Sequence, residues 1–310
     1  MKGSQDVHSV QGDGDRSLVS FVSICIPAYN NADTIRGTIE SVLASDYKNI
    51  EVIVVDDCSD DDTYRVAQEI KHPALSVYKN EKNLGMAGNW NKCLSLCHGD
   101  YVRLLCADDR IAPDLISREV AVLDSVPSVV MVSSDTAFVN EAGQVVGHYD
   151  RYRTPAGGLG FIIEWFRGDY YEFNEYDESK RISGRKIVRH SLFTRDYLGA
   201  PLANLFRRSA AGGFDPQFSY IIDYDFFADI ALSGDVYIIP EKKNFFMLRH
   251  GSNTSEVLGG DRGPAYVDEH KRLVKKYACR LGLNGFEQWL SVMIRRVTIV
   301  LGGIYLRIKK

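Results

Sequence analysis

The sequence predicts an α/β protein: a mainly parallel, mixed sheet flanked by helices. Three observations carry that prediction. From residue 21 to residue 109, short β-type runs alternate with segments of helical periodicity, the rhythm of strand–helix–strand crossovers. The run "EVIVV" at 51–55 is apolar throughout its interior, as a strand covered on both faces must be. Polar and acidic residues gather where the runs end, in "PAYN", "DD" and "ADD", and open α/β sheets bind ligands at the carboxyl ends of their strands.

The elements follow in order. "FVSICI" at 21–26 is a strand that stops at Pro27, and "PAYNNAD" is turn chemistry in which Asp33 can cap the next helix. In that helix Ile35, Ile39, Val42 and Leu43 fall on one face. The strand "EVIVVDD" ends in "DDCSDDDT", and "TYRVAQEI" starts a second helix. "LSVYKN" is a third strand, "MAGNWNKCLSLC" a helix, and "DYVRLLCADD" a fourth strand that delivers Asp108 and Asp109 toward a ligand crevice. "VVMVSSDTAFV", "EAG" and "QVVGHY" predict strand, turn and strand. Residues 150–200 form a variable, loop-rich insert, weakly periodic apart from "FIIEWF". Regular structure resumes with "ANLFRRSAAGGFD", the helix "DYDFFADIALSG" and the strand "DVYIIPE".

Residues 288–308 make an amphipathic helix. Leu290, Met293, Ile294, Val297, Leu301, Ile304 and Ile308 share a face, and Arg295, Arg296, Arg307, Lys309 and Lys310 are basic. Such a helix packs on its own domain, meets a dimer partner, or lies on an anionic membrane surface. The expected organisation is a disordered tail over 1–18, an α/β domain over 19–258 and a C-terminal helical extension over 259–310. The tail lacks the apolar core of a signal peptide, and the chain shows no run long and apolar enough for a clear membrane span.

Composition narrows the function classes. The chain has 310 residues, 45% hydrophobic and 25% charged, with a formal net charge of -4. A phosphate-backbone binder normally carries a basic surplus, so nucleic acid is not the expected partner. The six cysteines form no CxxC pair, which points to reduced thiols in a cytoplasmic protein.

Neither GxGxxG nor a Walker A loop follows the first strand, so no Gly-rich loop cradles phosphates there. A divalent cation held by Asp108 and Asp109 can offset phosphate charge instead, since Mg²⁺ and Mn²⁺ prefer oxygen ligands. Two aspartates alone are read first as solvated surface acids.

Taken together, "VSICIPAYNNADTIRGTIESVL", "NIEVIVVDDCSDDDT", "NEKNLGMAGNWNKCL", "GDYVRLLCADD", "LFRRSAAGGFD" and "DYDFFADIALSGD" resemble the family 2 glycosyltransferases, over residues 21–255. The resemblance implies a GT-A fold, the Rossmann-like fold of nucleotide-diphospho-sugar transferases, and an inverting transfer from a nucleotide sugar, most plausibly a UDP-sugar. It implies that Pro27, Ala28, Tyr29 and Asn30 line the base pocket and that Asp57 accepts a hydrogen bond from the base, Asp56 being structural. Asn83, Leu84 and Gly85 would contact the nucleotide, as would Ala107 and Asp108. Asp108 and Asp109 would hold Mn²⁺ or Mg²⁺, with His250 reaching the metal or the leaving diphosphate and Arg249 neutralising phosphate. Asp223 would be the catalytic base, with Asp225 a second candidate. Arg207 and Arg208 would orient the acceptor or be solvated.

Two positions depart from the family pattern. Cys106 stands where the acidic motif has its first Asp, and Ile222 where a Glu precedes the base. Both favour the competing reading of a weak or inactive nucleotide-sugar-binding relative. A nucleotidyltransferase would show a basic, Gly-rich N-terminal loop, which this sequence lacks. The implied setting is bacterial surface polysaccharide synthesis on a carbohydrate or lipid-linked saccharide acceptor, in the cytoplasm or peripherally on the inner face of the plasma membrane.

Overall fold

The structure, a computed structural model, describes residues 19–134, 136–139, 144–149, 181–194, 198, 203–239, 245–248 and 263–308. The first half alternates as the sequence predicts: β1 (Val22–Ala28), α1 (Ile35–Leu43), β2 (Ile50–Asp56), α2 (Thr63–Glu69), β3 (Leu75–Lys79), α3 (Gly85–Leu96) and β4 (Tyr101–Leu104). Then come β5 (Asp109–Ile111), α4 (Leu115–Ser125), β6 (Val129–Ser134), β7 (Thr136–Val139) and β8 (Val145–Tyr149). The described second half contains β9 (Arg181–Ser183), α5 (Gly184–Phe193), β10 (Asn204–Arg207), α6 (Ile222–Ala231), β11 (Asp235–Ile239) and β12 (Phe245–Leu248), and closes with α7 (Gly263–Leu281) and α8 (Gly285–Ile308).

The main sheet has the order β3-β2-β1-β4-β10-β6-β11-β9. Strands β1 to β4 run parallel, while β10 lies antiparallel between β4 and β6. All seven residues of β1 are buried, as are the last five of β2, which explains the unbroken apolar run of β2. Pro27 is tolerated in this central strand because of register. The Cys25 carbonyl accepts the Leu105 N–H, so Pro27, two residues on, faces a neighbour whose ladder has already ended at Leu104. Its missing N–H therefore leaves no partner unpaired.

One predicted strand divides. β4 stops at Leu104, the chain turns through 105–108, and Asp109 opens β5 in a second, four-stranded sheet of order β5-β12-β7-β8. There Asp109 lies opposite Met247 of β12.

Helices pack on both faces of the main sheet. Ile35, Ile39 and Val42 of α1 join one core cluster with Ile24, Ile26 and Val54. The other cluster holds Val102, Phe206, Phe226 and Phe227 together with Leu273, Val274 and Tyr277 of α7 and Ile294 of α8. The two C-terminal helices thus complete the core on which α6 rests. Gly184, at the start of α5, sits so close to the end of α6 that an added Cβ would fall 1.6 Å from the Ala231 carbonyl oxygen. Among the described residues, no helix is long and apolar enough to cross a membrane.

Candidate active site

The ends of β1 and β2 are stitched together by side chains. Asn30, at φ 53°, adopts the left-handed conformation that Asn tolerates better than most residues. Its N–H donates to Ser59 Oγ at 2.9 Å, and its side-chain oxygen accepts the Asp60 N–H at 3.0 Å. Asn30 therefore braces the loop at the end of β1. Tyr29 beside it is 45% exposed, with its ring available to a ligand. Pro27 lies in β1 and Ala28 ends it, and the Ala28 carbonyl accepts the Asp57 N–H at 2.8 Å.

The two acidic residues after β2 divide their work. Asp56 is fully buried, accepts the Ser59 N–H and hydroxyl, and lies 3.6 Å from Lys79 Nζ, so its role is structural. Asp57 Oδ1 accepts two donors, Asn80 Nδ2 and the Leu84 N–H, each at 2.8 Å. It thereby fixes the turn carrying Asn83 and Gly85. Asn83 caps that turn by accepting the Gly85 N–H at 2.8 Å. Gly85 has φ 73°, and among the described residues nothing lies within 4 Å of where a Cβ would be. Glycine serves the backbone conformation here, beside open space.

Asn89 and Asn91 of α3 are connectors. Asn89 is buried, accepts from Asn80 at 3.0 Å and donates to the Val55 carbonyl at 3.1 Å. Asn91 exchanges two hydrogen bonds with the Phe214 backbone. Their buried partners lie far along the chain, so no local signal marks them. Arg207 and Arg208 are likewise structural. Arg207 donates to the Val129 and Leu123 carbonyls and stacks over Tyr101, while Arg208 donates to the Gly99 carbonyl at 2.7 Å.

The acidic turn follows β4. Ala107 is buried, and its carbonyl accepts the Thr38 hydroxyl at 2.9 Å, which ties the turn to α1. Asp108 is partly exposed, but Asp109 is only 2% exposed. The expectation that both carboxylates face the crevice therefore needs correcting for Asp109. As the first residue of β5 it shares the inward face with Ile111, while Arg110 points outward.

Burial, and then the charge of Asp108, pushes the Asp109 carboxyl well above the usual carboxylate range, and a hydrogen bond with Cys106 opposes this weakly. Among the described residues, Asp109 Oδ1 is buried without a hydrogen-bond partner. Burial also pushes the Cys106 thiol up, reinforced by the charges of Asp109, Asp108 and Asp223. Asp223, on the first turn of α6, therefore acts electrostatically on the same spot as the acidic turn.

One ligand atom each from Cys106, Asp108 and Asp109 lies within 4.8 Å of the others. Two carboxylates, one with an orphaned buried oxygen, suit a hard cation such as Mg²⁺ or Mn²⁺. The protonated thiol of Cys106 does not. His250 and Arg249 lie outside the described residues, as does most of the 150–200 insert.

Residues 23–198, more than half of the chain, match the family model described as Glycosyl transferase family 2. The chain belongs to this family of glycosyltransferases, and its helix-flanked mixed sheet agrees with the GT-A fold. Asp223 lies beyond the matched span. The chain is 26% identical over 252 residues to the uncharacterized protein MT1568 of Mycobacterium tuberculosis (strain CDC 1551 / Oshkosh), covering 78% of this chain and 72% of that protein. It is 39% identical over 107 residues to the Escherichia coli UDP-Glc:alpha-D-GlcNAc-diphosphoundecaprenol beta-1,3-glucosyltransferase WfaP. That match spans 34% of this chain and less than half, 43%, of WfaP.

Among solved structures, S. aureus TarS 1-349 superposes with a TM-score of 0.60 at 18% identity, covering 89% of this chain and 71% of that one. The same protein in complex with UDP-GlcNAc gives 0.60 at 16%, covering 83% and 66%. At such identities the likeness speaks for the fold alone.

Proposed function

We propose that this glycosyltransferase moves a sugar from a UDP-sugar to an acceptor hydroxyl with inversion, in bacterial surface polysaccharide synthesis. The observation that carries the reading is the acidic turn, where ligand atoms of Cys106, Asp108 and Asp109 lie within 4.8 Å of one another and where the charge of Asp223, from the start of α6, is also felt. Carboxylates gathered from a strand-end turn and a distant helix start are what a cation-assisted displacement with a separate base requires. The UDP-linked substrate in the name of WfaP supports the donor class.

In this reading Tyr29 offers its exposed ring to the base. Pro27, Ala28 and Asn30 shape the pocket, Asp57 accepts from the base while holding the Asn83–Gly85 turn, and Ala107 backs the donor beside Asp108. Asp108 and Asp109 hold Mn²⁺ or Mg²⁺, with His250 as a further ligand or diphosphate contact. When bound, the ion offsets negative charge on the leaving diphosphate. Asp223 takes the proton from the acceptor hydroxyl as that oxygen bonds to the sugar C1 and the C1–diphosphate oxygen bond breaks on the opposite face. The catalytic unit is 19–258, its 150–200 insert facing a carbohydrate or lipid-linked saccharide acceptor, with 259–310 as a helical extension. We place the enzyme in the cytoplasm, either free or peripherally on the inner face of the plasma membrane.

Release of UDP from a panel of UDP-sugars with Mn²⁺ tests the reading. Asp223→Asn should lower turnover by about 10²-fold or more while UDP still binds. Undiminished turnover removes Asp223 as the base. The neutral thiol at Cys106 favours a second reading, a nucleotide-sugar-binding relative without transfer. UDP-sugar binding by the wild-type protein with no UDP release from any donor would establish it.

A further inference from the structure

In the helix that carries Asp223, Asp223 Oδ1 takes the Tyr224 N–H at 2.8 Å, but the cap position supplies no acceptor for the amides that lead in. The cap residue is Ile221, which makes no side-chain capping bond. The missing acceptor comes from α7. Glu269, 4% exposed, takes the Ser219 N–H on one oxygen at 2.9 Å. Its other oxygen takes the Tyr220 and Ile221 N–H groups at 2.9 and 3.2 Å. Three consecutive amides leading into α6 thus converge on one buried carboxylate. Charge-assisted bonds of this kind are about twice as strong as neutral ones.

The same helix grips α6 again just past Asp223. Tyr277 donates its hydroxyl to Asp225 Oδ1 at 2.9 Å, and Lys276 Nζ reaches Asp225 Oδ2 at 2.8 Å. Arg272 holds the preceding loop through the Gln217 carbonyl at 2.7 Å. Asp225, offered by the sequence as a second base, is only 2% exposed and committed to these partners. The anchors bracket Asp223, at residues 219–221 on one side and residue 225 on the other.

We propose that Glu269 is a positioning residue for Asp223, and that α7 is thereby part of the catalytic apparatus and more than a core-filling extension. The inference rests on Asp223 being the base. Nothing from α7 need touch substrate. Its carboxylate sets where the first turn of α6 begins, and therefore where the Asp223 carboxylate stands.

The test compares Glu269→Gln, Asp223→Asn and the double variant, each checked for folding by thermal melt. Gln keeps the shape of Glu but turns a donor toward amides that also donate. UDP affinity by calorimetry should be unchanged in Glu269→Gln, while kcat falls by about tenfold or more, as a small misplacement of a reacting group can cost. Because Glu269 acts through Asp223, the double variant should be no slower than Asp223→Asn alone. Full turnover in folded Glu269→Gln, beside lost turnover in Asp223→Asn, overturns the positioning role while leaving the base in place. An additive double variant overturns it as well. Full turnover in Asp223→Asn refutes the base assignment first. Should Glu269→Gln not fold, Tyr277→Phe removes the second anchor at nearly constant volume, and the same split between kcat and UDP affinity decides.

Discussion

The Asp57 carboxylate accepts the backbone N–H of Leu84 at 2.8 Å, so the tip of one strand holds the turn that starts the next helix. The same oxygen holds Asn80, which in turn leans on Asn89. Asp57→Ala should strand these buried groups at a cost of about 2–4 kcal/mol. Chemical denaturation reads that loss, and UDP calorimetry should show affinity falling with it. A variant as stable as the wild type would show that the turn does not depend on Asp57.

Asp109 should respond in the opposite direction. Its carboxylate is buried beside Asp108 with one oxygen unpartnered, so without metal its charge is a burden to the fold. Asp109→Asn should raise the melting temperature of metal-free protein and shrink the further rise that Mn²⁺ produces in the wild type. A metal-free variant that melts lower would contradict this reading of the buried charge.

His270 gives the stability a pH dependence of its own. It is buried between α7 and α8, with Nε2 3.0 Å from Ser291 Oγ. Burial first, then the Arg295 charge, pulls its pKa well below the ordinary value, against a weaker opposing bond with the Leu192 backbone. The unfolded chain therefore binds a proton that the folded chain refuses. The contribution is complete above about pH 6.5 and is lost as pH falls from there, at up to about 1.4 kcal/mol per pH unit. His270→Gln should flatten that part of the stability curve, and parallel curves for the two proteins would rule out this origin.

Phe286 and Trp289 stack at 5.9 Å on the exposed side of α8, at 66% and 56% exposure. Arg296, also exposed, falls on the same face by helical spacing. If this face supplies the proposed membrane contact, Phe286→Ser with Trp289→Ser should weaken sedimentation with anionic vesicles while leaving stability within about 0.5 kcal/mol. Unchanged vesicle binding together with a lower solution mass would assign the face to self-association instead.

Much of the candidate site was legible along the chain. Asp57 and Asp108 stand at the ends of apolar runs, and a parallel sheet sends such ends to one edge. Asn89 and Glu269 were not legible, since their partners are a strand carbonyl and three amides distant in sequence. Asp109 looked like the twin of Asp108. Its burial follows from β5 pairing with β12, a partner more than a hundred residues away.

The sequence by itself determined the strand–helix alternation of the first half, the placing of polar residues at strand ends and the membership of a glycosyltransferase family. Hydrophobic periodicity and turn chemistry act over a few residues, so they can be read in order. Tertiary structure alone decided that β10 inserts antiparallel between β4 and β6, that Asp109 turns inward, and that α7 caps the helix bearing Asp223. Those outcomes depend on which distant groups must satisfy one another's hydrogen bonds once water has been excluded.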